Sequence, residues 1–241
     1  MKIVVTGDSH ISALKSGIDL LQAEGDSLVD YVFDFKPLGL GGHLIKPFFA
    51  DRGDYAEMTD PIIKKRVQRL PLLEDGEFQP YYAISGAMHS IRLWRDVNFW
   101  TKYTPFCQQE GLIPVSVGLL RHAVLNDQLY ICKLIEIMQR SGVKLFVIEA
   151  PKPFKHHRIH NDVDSEVIVY VDRFYRQVFK DWLAAKGVPV VEVPASCYDS
   201  EGFMLNEFRS DNLGDANHAN KDFGAIMAKE IIKFLQQQPA S

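Results

Sequence analysis

The chain has 241 residues, 46% of them hydrophobic and 24% charged, the balance of one sizeable globular domain and not of a disordered or fibrous chain. Its formal net charge of −4 argues against the basic footprint of a nucleic-acid binder, and no apolar run approaches the length of a bilayer span. Cys107, Cys132 and Cys197 are widely spaced and supply neither a disulfide framework nor a zinc pattern.

Ile3-Val4-Val5-Thr6 is β-branched and apolar and stops at Gly7, the pattern of a buried strand feeding a turn. The apolar stretch it belongs to is too short for a secretory core, so a cytoplasmic location is expected. Ile11, Leu14, Ile18 and Leu21 follow at helical spacing, and Gly25 ends that segment. A second strand is expected over 31–35, running into Pro37 and the glycines Gly39, Gly41 and Gly42. The stretch 43–80 is charged and broken by Pro47, Gly53, Pro61, Pro71, Gly76 and Pro80. It is expected to be an irregular insertion with one short helix within 60–70. A third strand over 81–84 ends in Ser85-Gly86. Then come a helix over 115–140, a strand over 144–148, a helix over 163–186 closed by Gly187 and a strand over 188–193. An amphipathic helix over 219–237 closes the chain, with Phe223, Ile226, Met227, Ile231, Ile232 and Leu235 as its apolar face.

This order predicts an α/β chain, one domain over 1–241, whose five strands form a parallel sheet covered on both faces. Ligands of such sheets bind beyond the C-terminal ends of the strands. Ser9 follows the first strand, where unpaired helix N–H groups can hold a developing oxyanion; the same place suits an ordinary cap made by Asp8 or Ser9. Asp215 precedes His218 by three residues. That spacing lets the carboxylate set the imidazole tautomer and leaves the other ring nitrogen as a base, and it equally suits a polar turn before the last helix. His156, His157 and His160 fit either a metal cluster or an exposed turn. Arg92, Trp94 and Arg95 fit either a cleft wall or a surface helix. The run Lys64-Lys65-Arg66 reads as a solvated face.

Together, Gly7-Asp8-Ser9 after the first strand and Asp215-Ala216-Asn217-His218 before the last helix resemble the SGNH (GDSL-type) hydrolase superfamily over nearly the whole chain. Asp215-Ala216-Asn217-His218-Ala219-Asn220 is similar to a bacterial branch ending in Asp-x-x-His-Ala-Asn. The resemblance implies a three-layer α/β/α, flavodoxin-like fold with a mostly parallel five-stranded sheet. It implies a serine esterase that uses no cofactor or metal and acts on small-molecule or carbohydrate esters, O-acetyl esters among them, with no nucleic-acid or membrane partner. Ser9 would be the nucleophile, His218 its base and Asp215 the acid that orients the base. Gly42, or else Gly41, would lend an N–H to the oxyanion, with Gly86, Asp8 and His10 nearby.

The family's Gly-x-Asn motif is missing. The turn reads Ser85-Gly86-Ala87-Met88-His89, with Ala87 in place of the asparagine and His89 in place of the branch's histidine. Losing one oxyanion donor costs about a hundred- to a thousandfold in rate. Either His89 donates instead, or backbone amides of Ser9, Gly42 and Ala87 suffice, or the domain has lapsed into a binding role. Asp8-Ser9-His10 also resembles the Asp-x-His motif of calcineurin-like metallophosphoesterases, which would place a metal on Asp8 and His10.

Overall fold

In the computed structural model of the chain, the described residues are 1–26, 28, 30–73, 79–88, 111, 113–212 and 214–238. The elements are β1 (Lys2–Gly7), α1 (Ile11–Ala23), β2 (Val32–Pro37), β3 (Phe49–Asp51), β4 (Ala56–Met58), α2 (Pro61–Lys64) and β5 (Arg69–Leu70). There follow β6 (Tyr81–Ile84), α3 (Val117–Asp127), α4 (Leu129–Arg140), β7 (Leu145–Ile148), α5 (Ser165–Ala185), β8 (Val190–Val191) and α6 (Lys221–Gln236). A five-stranded sheet runs in the order β2-β1-β6-β7-β8, every pair parallel. This is the expected α/β fold.

Alternation along the strands feeds two cores. Ile3 and Val5 of β1, with Ala83, Phe146 and Ile148, pack with Leu14 and Ile18 of α1 and Met227 and Ile231 of α6. Val4, Tyr82, Ile84 and Val147 pack on the opposite face with Leu134 and Met138 of α4 and Phe179 and Leu183 of α5. Strands buried on both faces must be apolar almost throughout, as these are. The strand order reverses at β1, so the crevice of this topology opens beyond the ends of β1 and β6. Those two ends nearly touch. A Cβ on Gly7, whose φ is 145°, would lie 2.0 Å from the Ser85 carbonyl oxygen, so only glycine serves there.

The helices α1 and α6 meet backbone to backbone. A Cβ on Gly224 would stand 1.8 Å from the Ala13 carbonyl oxygen, and one on Gly17 would stand 2.1 Å from the Ala225 nitrogen. Because α1 begins just after Ser9 and α6 just after His218, this crossing sets how far apart those two residues lie.

Two expectations need correction. The described residues of the segment 43–80 are not irregular throughout: they carry the antiparallel sheet β3-β4-β5. Its Ala56, Met58 and Leu70, with Leu44, Phe48 and Ile63, complete the second core. Strands of two or three residues are too short to display a period. The helix expected over 115–140 is two helices that break at Gln128, whose Nε2 donates to the Tyr175 hydroxyl at 2.6 Å. Among the described residues, no helix is long and apolar enough to cross a membrane.

Candidate active site

Ser9 lies in the turn between β1 and α1, and its Oγ is 2.8 Å from Nε2 of His218, a residue 209 positions later. His218 Nδ1 is in turn 2.8 Å from Asp215 Oδ2 and 3.0 Å from Oδ1. A carboxylate against Nδ1 selects the tautomer that bears its proton there and leaves Nε2 to accept from the serine. The same Oδ1 accepts the amides of Asn217, at 3.0 Å, and of His218, at 3.1 Å, so the Asp-x-x-His spacing builds turn and pair at once. Burial opposes ionisation of Asp215, but those amides and the imidazole hold its carboxyl below the usual range.

Neither Ser9 nor Asp215 caps a helix: α1 has no side-chain cap, and α6 is capped by Asn220. Asp8 Oδ1 accepts the His10 amide at 3.1 Å, and Asn220 Oδ1 accepts the Asp222 and Phe223 amides at 3.1 and 3.2 Å. The Ser9 hydroxyl is thereby spared a capping duty and faces the imidazole.

The remaining expected residues surround this trio unevenly. His10 is buried, its ring centroid 4.6 Å from that of His218. Burial pushes its pKa down to about 4, so the ring is neutral at neutral pH. Asp8 is buried against Gly86, where a Cβ would fall 2.5 Å from the Asp8 carboxyl carbon. Gly86, with φ 88°, therefore makes room for Asp8. Ala87 is fully buried in the second core, and its methyl has no proton to donate. His89, and with it Arg92, Trp94 and Arg95, lies outside the described residues. Gly41 is the glycine beside Asp8: a Cβ there would be 3.3 Å from Oδ2, whereas Gly42 is exposed with nothing within 4 Å. Both open the 3₁₀ turn Gly41–His43.

A cleft of about 570 Å³ opens over Ser9, Asp215 and His218. One wall is apolar, made by Phe35, Pro37, Leu40 and Ile62, and Lys15, Arg66 and His43 also line it. Leu40 and Ile62 are 63% and 50% exposed, aliphatic groups held open to solvent at the cleft mouth. Sequence reasoning missed this wall because its residues come from β2, the loop after it and α2, segments that only the fold brings together.

Behind the site, the buried Arg176 ties down the turn after β7. It donates to the Ala150 and Pro151 carbonyls and to Asp172 Oδ2, each at 2.8 Å, and lies 3.3 Å from Glu149 Oε1. Glu149 also accepts the Val193 amide at 2.8 Å and pairs with Lys180 at 3.0 Å. Burial disfavours its charge, yet Arg176 and Lys180 hold its pKa down to about 2.

Among the described residues, no group of three or more His, Cys, Asp or Glu side chains converges as a metal site. Among the described residues, Asp8 and His10 are joined by no third such ligand. The trio His156, His157 and His160 forms no such site either, and His157 Nδ1 instead accepts the Ile159 amide at 3.0 Å.

No protein-family model matches the chain, and no curated protein matches it in sequence. Solved structures match it in fold. A GDSL-like lipase from Bacteroides thetaiotaomicron gives a TM-score of 0.51 at 11% identity, over 98% of this chain and 88% of the other. A protein assigned to the G-D-S-L lipolytic family, from Desulfitobacterium hafniense, gives 0.50 at 12% identity over 96% and 98%. One assigned to the SGNH hydrolases, from Slackia heliotrinireducens, gives 0.50 at 9% identity over 98% of both chains.

Proposed function

We propose that this chain, which has the fold of the SGNH hydrolases, is a serine hydrolase of carboxylic esters. The observation that carries the reading is the unbroken line from Ser9 Oγ through His218 to Asp215, with 2.8 Å at each link. A serine hydroxyl becomes a nucleophile when a positioned base takes its proton. Here Nε2 of His218 takes it as Oγ attacks the ester carbonyl, and Asp215 stabilises the imidazolium that forms. The imidazolium then protonates the departing alcohol. Water, deprotonated by the same nitrogen, cleaves the acyl-enzyme and restores the serine.

The oxyanion would be held by backbone amides. Ser9, in the turn into α1, would lend its own N–H, and Gly41, with Gly42 next to it, opens the 3₁₀ turn beside Asp8. Ala87 supplies no side-chain donor, so the rate should fall about a hundred- to a thousandfold below that of an otherwise equal site with an asparagine there. The apolar wall beside Ser9 suits an acyl or alkyl group, and O-acyl carbohydrates are the substrate class we favour.

A fluorophosphonate probe tests the reading. It should label Ser9, fail on Ser9→Ala and react much more slowly with His218→Ala. A folded wild-type chain that takes up no probe would refute the enzyme and favour a lapsed binding domain.

A further inference from the structure

We infer that His10 is a positioning residue for the proposed reaction, its buried ring set against the His218 ring so as to favour the imidazolium that proton transfer creates there. The inference rests on Ser9 being the nucleophile and His218 its base.

The place of the ring is built from both ends of the chain. Nδ1 of His218 faces Asp215 and Nε2 faces Ser9, each at 2.8 Å. Both nitrogens are engaged, so a further neighbour must act through the face of the ring. His10 is such a neighbour: the two ring centroids are 4.6 Å apart and the planes are inclined by 33°, nearer to stacked than to edge-on. Backbone contacts fix the approach. The His10 amide donates to Asp8 Oδ1 at 3.1 Å, and Asp8 sits in the room left by Gly86. His10 itself stands at the N-terminal end of α1, the helix whose backbone meets that of α6.

An aromatic face attracts a cation within about 6 Å of its centre, and more strongly where water is excluded. His10 is 5% exposed. Before attack the contact is one of two neutral rings. As His218 takes the serine proton it becomes a cation against that face, and the attraction appears only then. An interaction made only in the transition state raises kcat and leaves KM alone. The His10 ring has to stay neutral for this, because a second positive charge would repel the imidazolium. Burial, helped by His218 and Arg176, outweighs Asp8 and Asp215 and pushes the His10 pKa down to about 4, so the ring meets that condition at neutral pH.

Three variants separate an aromatic face from the mere filling of space. His10→Phe keeps a ring, whereas His10→Leu and His10→Gln are close to histidine in volume and have none. Each is checked for folding by urea at pH 7, then assayed on p-nitrophenyl acetate and for its second-order rate of fluorophosphonate labelling. His10→Leu and His10→Gln should lose about five- to thirtyfold in kcat and in labelling rate, with KM within about twofold of the wild type, and His10→Phe should stay within about threefold throughout. Wild-type kcat in His10→Leu, a loss carried by KM, or the same loss in all three variants would overturn the inference. Should His10→Phe prove too large to fold, kcat and KM of the other two still decide. A labelled wild type with an unchanged His10→Leu refutes this inference alone; a wild type that neither labels nor cleaves the ester refutes the hydrolase reading and the role of His10 with it.

Discussion

Replacing Gly224 by alanine tests whether the crossing of α1 and α6 holds the site together. The new Cβ would sit 1.8 Å from the Ala13 carbonyl oxygen, against ordinary contact at 3.4 Å or more. The helices must part by roughly 1.5 Å, because the obstacle is backbone and cannot rotate away. Overpacking of this kind costs about 1–3 kcal/mol, while alanine recovers about 1 kcal/mol of helix propensity over glycine. A net loss of about 1 kcal/mol, and at most about 2, is expected, read by urea unfolding. The effect on chemistry should be larger. If half of the displacement reaches Ser9 and His218, their 2.8 Å separation grows to about 3.5 Å, the limit of a hydrogen bond, and a misplacement near 1 Å costs about a hundredfold in rate. The second-order rate of fluorophosphonate labelling reads this directly. Gly118→Ala is the control, since that glycine lies in α3 with open space around it; it should keep its labelling rate and gain a little stability. A Gly224→Ala chain with wild-type stability and labelling would refute the reasoning.

Three further outcomes are expected. Asp215→Asn should keep its fold and lose about ten-thousandfold in ester turnover, because an amide no longer selects the productive tautomer of His218; turnover within tenfold of the wild type would contradict that role. His10 titrates near 4 when folded and near 6.5 when unfolded. As pH falls, the unfolded chain takes up that proton first, so a contribution of about 3 kcal/mol is complete above pH 6.5 and lost as pH falls through 4. Glu149, depressed from 4.5 to about 2, adds a contribution present above pH 4.5 and lost towards 2. Urea midpoints from pH 7 to 4 should decline in the wild type and lose most of that slope in His10→Gln. Arg176→Met leaves Glu149 and Asp172 buried without their guanidinium and should cost about 3–5 kcal/mol; adding Glu149→Gln should recover part of this in the same unfolding assay.

What the sequence revealed depended on how local the signal was. β1 and β6 are legible as unbroken apolar runs that stop at turn residues, α6 because it is long enough to show its period, and Asp215 with His218 because three residues separate them. The meeting of Ser9 with His218 was readable only through a resemblance, since no local pattern joins residues 209 positions apart. The small sheet β3-β4-β5 escaped notice because its strands are shorter than the pattern that would reveal them, and its glycines and prolines read as an irregular insertion. Gly17 and Gly224 stood in plain view inside helical spacing, where glycine is costly; that cost was the one available hint of a close helix crossing. Arg66 is one of three consecutive basic residues, and nothing in that run foretold that one of them would line the cleft over Ser9.

The pairing of the first helix with the last has a consequence for synthesis. A ribosome makes Ser9 almost at once, but His218, its proposed base, appears more than two hundred residues later, and Gly224, which seats the closing helix, later still. Throughout elongation Ser9 therefore lacks its imidazole partner. A nascent chain released early has neither that partner nor the helix that sets its distance, so on the proposed mechanism a prematurely terminated product should take up no fluorophosphonate.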